Sequence, residues 1–274
     1  MTLNEFLNQA WNRYVDLAPD ALVIHKLLEE RGERIQNDHI AFRTFNLKGI
    51  GRMDLGKIFE NWGYQRVKED LDFPAKKLKA SYFLHSDPTL PKIFISELLL
   101  EQFSFELQSW IKEIVSQNLT LNAKEGDFFL RDSWSAISFE DYQRFYSESE
   151  YAAWTAAFGI QVNHFTLLVN SLKTFSTLQE LNLFLGKVGI VLNEAGGVVK
   201  GTPTELLEQS STLAKKVDWT FASGKRHKVM GCYYEFARRY LVPGEKKLFE
   251  GFIPKSADKI FESTYEKSGL KPEV

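Results

Sequence analysis

The sequence predicts an α+β fold in which one order of elements, a strand followed by a helix and several strands, occurs twice. Alternating side chains predict the first strand of each copy, at residues 38–45 and 161–169. Helical spacing follows each strand, near residues 53–62 and 178–188. The two halves share almost no sequence identity, so the repeat lies in element order and indicates a duplicated module of βαβββ type.

Other segments complete this pattern. Apolar residues at helical spacing predict two N-terminal helices within residues 2–31, the second beginning at Pro19. Thr202, Pro203 and Glu205 have the order of an N-cap, a first-turn proline and a capping-box partner, so a helix is expected there. Strands are expected at residues 64–70, 77–84, 92–99 and 191–193, and in a strand-rich segment at 227–240.

The chain is expected to form a single metalloenzyme domain, residues 1–274. No linker rich in Pro, Gly and Ser divides it, and residues 101–158, which are aromatic and helical in pattern, are expected to pack on the sheet as an insertion. The sequence leaves open whether this insertion acts as a lid. The expected parts are a helical N-terminus (1–35), a first module (36–100), the helical insertion (101–158), and a second module with the C-terminal segment (159–274).

Composition narrows the function. The formal net charge of −2 and the scattered basic residues disfavour nucleic acid as a partner. Cys232 is the only cysteine, which excludes an intramolecular disulfide and fits a reducing compartment. The first residues lack a basic start and an apolar run, and no apolar run approaches the ~20 residues of a membrane span. We therefore expect no signal peptide, no membrane partner and a cytoplasmic location.

Two of the five histidines stand in the first strand of each half, among apolar neighbours. These are His39 and His164, preceded by Asp38 and Asn163. A buried neutral imidazole must satisfy two ring nitrogens. A metal ion satisfies one, while a nearby acceptor satisfies and orients the other. For either histidine alone, a hydrogen bond to a core neighbour is the simpler explanation, but the paired placement favours a shared metal ion.

Glu235 is the candidate third ligand because it interrupts an aromatic, apolar strand, where an unpaired charge is costly. A cation or a nearby arginine would balance it. Glu97 ends an apolar strand in the first half, at the position judged to match Glu235. Four ligands would suit a lyase-type site holding Zn or Ni, whereas three with open positions suit Fe(II). The residues alone leave this choice open.

Arg43 follows His39 by four residues on the same predicted strand face, about 13 Å along the strand. Its guanidinium could reach back to a metal-bound anion or hold a carboxylate through two hydrogen bonds. A structural ion pair is the equal alternative.

Several of these segments together resemble the 2-oxoadipate dioxygenase/decarboxylase family: DHIAFRTF, QVNHFT, TPTELLEQSS through GCYYEFARRY, and ADKIFEST. The resemblance covers nearly the whole chain and implies the vicinal-oxygen-chelate fold, in which the sheet forms a half-barrel. It further implies an Fe(II) ion bound by His39, His164 and Glu235, with Arg43 binding the substrate. Glu97 has no role in that family pattern.

The resemblance also implies a reaction, in which 2-oxoadipate and O2 give 2-hydroxyglutarate and CO2 during lysine breakdown. A small 2-oxo acid and O2 are then the expected partners. Two alternatives remain open at this point. One is a glyoxalase-like isomerase, lyase or hydrolase that uses Zn or Ni; the other is a small-molecule binding module without catalytic activity.

Overall fold

A computed structural model of the chain describes residues 1–118, Phe129 and residues 136–264. The described helices are α1 Leu3–Leu17, α2 Pro19–Glu30, α3 Arg52–Glu60, α4 Phe105–Asn118, α5 Phe139–Glu148, α6 Glu150–Phe158, α7 Leu178–Lys187 and α8 Pro254–Ile260. The described strands are β1 Asn37–Phe45, β2 Gln65–Arg66, β3 Leu71–Phe73, β4 Leu78–Leu84, β5 Lys92–Leu98, β6 Val162–Leu168, β7 Lys200–Thr202, β8 Leu207–Ser211, β9 Lys216–Thr220, β10 Arg226–Met230 and β11 Glu235–Arg239.

One sheet of nine strands organises the molecule. Its order is β2-β4-β5-β1-β6-β11-β8-β7, with β3 also paired to β4, while β9 and β10 form a separate hairpin. The central pair, β1 and β6, is antiparallel. Each central strand has a parallel outer neighbour, β5 beside β1 and β11 beside β6. The two halves therefore repeat the same order about the central pair, which confirms the predicted α+β fold of two modules.

The central strands separate a helix-covered face from the face that carries the candidate site. Successive residues of a strand point to opposite faces. The ring of Phe42 in β1 lies 6.5 Å from that of Phe6 in α1 and 5.4 Å from that of Phe59 in α3. His39 and Arg43, which are offset from Phe42 by odd numbers of residues, point to the other face.

Local sequence signals explain where several helices begin. Thr2 and Glu5 form a capping box at the start of α1, and Thr177 and Glu180 form another at α7. Pro19 occupies the first turn of α2, where its missing N–H costs nothing. These starts agree with the helices predicted from the sequence.

The helix predicted from Thr202 is wrong. Thr202 does accept a hydrogen bond from the backbone of Glu205, but only one 3-10 turn forms, at Pro203–Glu205. Leu206 then has φ of +63°, which ends the turn, and β8 follows directly. Every residue of β8 is buried between β7 and β11, so strand pairing overrides the capping signal.

Three other predicted strands differ in detail. The segment at 64–70 forms only the two-residue strand β2, Gln65–Arg66. The segment at 191–193 forms only one bridge, between Leu192 and Thr212. The strand-rich segment at 227–240 is divided between β10 and β11. In the insertion, the described parts are α4, α5 and α6, and the remaining residues, 119–128 and 130–135, lie outside the described part of the chain. Among described residues, no helix has the length and apolar character needed to cross a bilayer.

Close backbone packing at Gly231 gives a test of the fold. A Cβ atom at Gly231 would lie 2.3 Å from the Leu17 carbonyl oxygen, which already accepts a hydrogen bond from the Cys232 N–H. The Gly231 carbonyl accepts a hydrogen bond from Trp154 Nε1 at 3.0 Å, which limits its movement. We expect Gly231→Ala to lower the free energy of unfolding by about 1–3 kcal/mol, measured by urea denaturation.

Gly186→Ala is the matched control. Gly186 lies in α7, and a Cβ there would meet no atom within 4 Å. Alanine has the higher helix propensity, so this variant should be about 0.5–1 kcal/mol more stable than the parent. Equal stability of the parent and Gly231→Ala would contradict the described packing.

Candidate metal centre

The central strand pair brings the two predicted histidines together. In the register of β1 and β6, His39 lies opposite Thr166, and Ala41 lies opposite His164. The two imidazole rings are 5.5 Å apart and nearly perpendicular, at 85°. Both side chains are buried, with exposed fractions of 2% and 4%. Because the two histidines lie on neighbouring strands, both side chains extend from the same face of the sheet into one shared space.

Glu235 joins this pair as the first residue of β11, opposite Thr166 of β6. The ligand atoms of His39, His164 and Glu235 all lie within 4.8 Å of one another, and no other such group of three occurs among the residues described. His164 Nε2 is 3.2 Å from Glu235 Oε2, and His39 Nε2 is 3.7 Å from Glu235 Oε1. Two ligand atoms that each bind one metal ion at about 2.1 Å, with an angle of about 90° between the two bonds, lie about 3 Å apart. The separations in this group therefore suit a single metal ion.

A buried ion pair orients His39. Asp38 Oδ1 lies 2.7 Å from His39 Nδ1, so the carboxylate favours the proton on that nitrogen. His39 Nε2 then carries the lone pair, and the Thr166 hydroxyl lies 3.1 Å from it. Arg239 in turn donates to Asp38 from Nε and, at 2.8 Å, from Nη2. Burial would raise the pKa of Asp38, but the charges of Arg239 and Lys92 hold it well below its usual value. Asp38 therefore stays an ionised acceptor.

The other two members have charge states that suit a cation. Burial lowers the pKa of His164, although Glu235 acts in the opposite direction, so the neutral imidazole is favoured. Burial raises the pKa of Glu235, but His39, His164 and a hydrogen bond from Gln209 outweigh it. Gln209 Nε2 donates to Glu235 Oε1 at 2.6 Å. A neutral His164 imidazole, the His39 imidazole and the Glu235 carboxylate are ordinary ligands of a divalent transition metal.

Apolar side chains close the space beside these ligands. Phe94 comes from β5, Phe252 precedes α8, and Ile260 and Phe261 lie at its end. The enclosed cavity is about 10 Å³, which is enough for a single small molecule such as water and too small for an organic acid.

Arg43 is buried on the same face of β1, with 1% of its surface exposed. Its Nη1 donates to the Glu150 carboxylate at 3.0 Å, and its Nη2 donates to Thr264 Oγ1 at 3.0 Å. The guanidinium carbon also lies 4.8 Å from the Tyr151 ring centre and 5.1 Å from that of Trp154. Arg43 thus forms the structural ion pair that was the alternative to its predicted role in substrate binding. It also borders a separate cavity of about 360 Å³, which Phe261 helps to line.

Glu97, the possible fourth ligand, lies outside the group. Its carboxylate binds the guanidinium of Arg52 at 3.2 Å and the Arg52 backbone N–H at 2.8 Å. Glu235 lies opposite the residue two positions after His164. The equivalent residue in the first half, opposite Ala41, is Phe94 and not Glu97. The residue matched to Glu235 from the sequence, Glu97, is therefore three positions away from the equivalent residue in the structure, Phe94. Strand register depends on pairing with neighbouring strands, and a single sequence does not show that pairing.

Sequence reasoning missed two residues that support the ligands. One is Arg239, which binds Asp38, a residue 201 positions away in the sequence. Gln209 stands in β8, in a segment expected to be helical, and no local pattern pointed to it. The one local signal that could have pointed to Arg239 was Asp38 itself, because a carboxylate within an apolar strand needs a cation as its partner.

The orientation of His39 by Asp38 can be tested directly. We expect Asp38→Asn to weaken binding of a divalent transition metal by about 10-fold to 100-fold, because the neutral amide no longer enforces the Nδ1 proton on His39. Anaerobic calorimetric titration of metal-free protein with Fe(II) measures this change. Asp87→Asn removes a carboxylate from an exposed loop, where it binds Thr89, and should leave Fe(II) affinity unaltered. Unchanged affinity in Asp38→Asn would mean that Asp38 does not support a ligand.

Comparison with known proteins agrees with this architecture. The sequence profile of the 2-oxoadipate dioxygenase/decarboxylase family matches residues 2–126 and 123–246. A chloroplastic/amyloplastic 2-oxoadipate dioxygenase/decarboxylase of Oryza sativa subsp. japonica is 36% identical, over 92% of this chain and 75% of its own length.

Solved structures extend the comparison. A hydroxyglutarate synthase from Oryza sativa, crystallised with 2-oxoadipate, has a TM-score of 0.87 and 34% identity, covering 95% of this chain and 91% of its own. A Shewanella frigidimarina protein, provisionally described as a hydrolase, has a TM-score of 0.84 and 41% identity, covering 92% and 97%. A glyoxalase-superfamily protein from Ralstonia eutropha, at 18% identity, a TM-score of 0.72 and coverage of 89% and 83%, shares the fold alone.

These likenesses confirm the vicinal-oxygen-chelate type of α+β fold and the family resemblance seen in the sequence. The profile match covers most of the chain, and the rice relative exceeds one-third identity across nearly all of it. The chain belongs to the 2-oxoadipate dioxygenase/decarboxylase family.

Proposed function

We propose that this protein is an Fe(II)-dependent dioxygenase and decarboxylase that converts 2-oxoadipate and O2 to 2-hydroxyglutarate and CO2, a step in lysine breakdown. The observation that carries the proposal is the buried group of His39, His164 and Glu235 in a member of this family. The rice relative crystallised with 2-oxoadipate supports the choice of substrate.

The three ligands support Fe(II) as the metal. Two histidines and one carboxylate, with further positions open, are typical of non-haem Fe(II) oxygenases. When bound, Fe(II) would accept the oxo acid end of the substrate as a chelating ligand and would activate O2. The substrate loses its oxo acid carboxylate as CO2, its keto carbon becomes a new carboxylate with one oxygen atom of O2, and the adjacent carbon gains a hydroxyl with the other. One O2 is therefore consumed, and no second organic substrate is needed.

The protein side chains would position and protect these reactants. Asp38 fixes the orientation of His39, and Gln209 holds the Glu235 carboxylate through its hydrogen bond. Phe94 and Phe252 form apolar walls that would exclude water from the reacting end of the substrate. Arg43, on the same strand face as His39, would bind an anionic group of the substrate.

The glyoxalase-like alternative has less support. That reading depended on a fourth ligand, but Glu97 is bound to Arg52 and Phe94 stands at the equivalent position of β5. A binding module without catalysis would not need three buried polar ligands, whose burial is costly without a cation.

Oxygen uptake tests the proposed reaction. Protein loaded anaerobically with Fe(II) should consume O2 when 2-oxoadipate is added, with one CO2 and one 2-hydroxyglutarate formed per O2. An oxygen electrode and chromatography of the products measure this ratio. Fe(II)-loaded protein that binds metal but shows no substrate-dependent uptake would contradict the proposal.

Substitution of the ligands tests the assignment of the site. We expect His39→Ala, His164→Ala and Glu235→Ala each to lower activity more than about 100-fold and to reduce bound iron, because three ligands share one ion. Metal analysis and the uptake assay give both values. His227→Ala is the matched control, since His227 stacks on Phe139 in the β10 region, away from the metal group, and should behave like the parent. Full activity in any ligand variant would remove that residue from the site.

A further inference from the structure

Gln209 presents an unused hydrogen-bond acceptor at the cavity of the candidate metal centre. Its side chain is 2% exposed and lines this cavity beside His39, His164 and Glu235. Its Nε2 donates to Glu235 Oε1 at 2.6 Å, whereas its Oε1 is buried and has no hydrogen-bond partner among the residues described. Burying a carbonyl oxygen without a donor is costly, and proteins rarely leave such an atom unpaired. Gln209 Oε1 therefore indicates a donor that belongs to a bound molecule.

The contact with Glu235 determines which end of the Gln209 amide faces the carboxylate. A carboxylate that binds a metal ion can only accept hydrogen bonds, so the amide nitrogen must face Glu235 and the amide oxygen must face away from it. The backbone of Gln209 is held on both sides, because it pairs with Ala237 of β11 and with Lys200 of β7. The position of the unused oxygen is thus set by the sheet and by Glu235.

The rest of the cavity wall offers no comparable acceptor. Apart from the three proposed ligands and Gln209, the described side chains that line the cavity are apolar: Phe94, Phe252, Ala257, Ile260 and Phe261. Among the buried side-chain atoms that lack a partner in the described part of the chain, only Gln209 Oε1 is on a residue that lines this cavity. The space beside the ligands is about 10 Å³, so a group that enters it contacts either Gln209 or an apolar side chain.

The substrate and the product of the proposed reaction differ in the donors that they bring to this space. The oxo acid group of 2-oxoadipate has only acceptor oxygens when it is ionised. In 2-hydroxyglutarate, the carbon next to the new carboxylate carries a hydroxyl, which can donate to an amide oxygen. A hydroxyl that faced the apolar walls would be buried without an acceptor, which is unfavourable.

We infer that Gln209 Oε1 accepts a hydrogen bond from the hydroxyl of 2-hydroxyglutarate and thereby determines which of its two enantiomers the site favours. This assignment rests on the proposed function, in which the hydroxyl forms beside the metal. The two enantiomers carry the same groups and differ in the direction of the hydroxyl. With one acceptor beside the ligands, only one enantiomer can pair its hydroxyl while its neighbouring carboxylate keeps the same position.

Gln209→Met tests this inference because methionine has nearly the same length and no amide oxygen. In Fe(II)-loaded parent protein under anaerobic conditions, calorimetry should show that one enantiomer of 2-hydroxyglutarate has a lower Kd than the other. We expect Gln209→Met to reduce the ratio of the two Kd values about 5-fold to 30-fold, as for one lost hydrogen bond. The variant also loses the contact with Glu235, but that loss affects both enantiomers alike and cancels in the ratio.

Gln161→Met is the matched control. Gln161 is also buried, and its Nε2 donates to the Phe158 carbonyl at 2.9 Å, but it lines a different cavity, beside Tyr14. Its ratio of Kd values should equal that of the parent. The inference is overturned if Gln209→Met keeps the parent's ratio, or if a parent that binds 2-oxoadipate binds both enantiomers equally or neither of them.

A crystal structure of the parent with Fe(II) and the favoured enantiomer, prepared anaerobically, gives a test that needs no variant. The product hydroxyl should lie within about 3.0 Å of Gln209 Oε1. A hydroxyl directed at an apolar wall would overturn the inference. Failure of the parent protein to bind 2-oxoadipate would instead contradict the proposed function and, with it, this assignment.

Discussion

The register of the central β1–β6 pair is the constraint on which the candidate site depends. Because neighbouring residues in a strand point to opposite faces, a slip of one residue would turn His39 or His164 into the helix-covered core. The parallel addition of β11 to β6 then places Glu235 beside both histidines. Packing against the helices stabilises this register, since Phe42 and Phe165, on the opposite face of the sheet, contact α1. The apolar core and the polar site are thus two consequences of one strand alignment.

Charge balance within the described core explains why this centre suits a cation. Asp38 is matched by Arg239, and Arg43 is matched by Glu150. Glu235 lies within 3.7 Å of His39 and His164 and accepts a hydrogen bond from Gln209, and no lysine or arginine in the described part of the chain pairs with it. A buried carboxylate in this situation is stabilised by a metal ion, which also uses the lone pairs of both imidazoles.

The sequence predicted more of the site than of its surroundings, for a physical reason. His39, His164 and Glu235 were recognisable because polar side chains within apolar strands are costly and must have partners. The parallel register between β1 and β5 depends on contacts across the sheet, so Glu97, the possible fourth ligand, was matched to Glu235 where the structure has Phe94. The helix expected at Thr202 failed in the same way, since sheet pairing outweighed a valid local capping signal.

The most direct test of the account is the position of the metal. Crystals of the protein grown anaerobically with Fe(II) and 2-oxoadipate, measured at the iron absorption edge, should show one anomalous peak. The account predicts that this peak lies within bonding distance of His39 Nε2, His164 Nε2 and a Glu235 carboxylate oxygen, with the oxo acid group of the substrate as a further ligand. An iron peak at another position, or coordinated by Glu97, would contradict it.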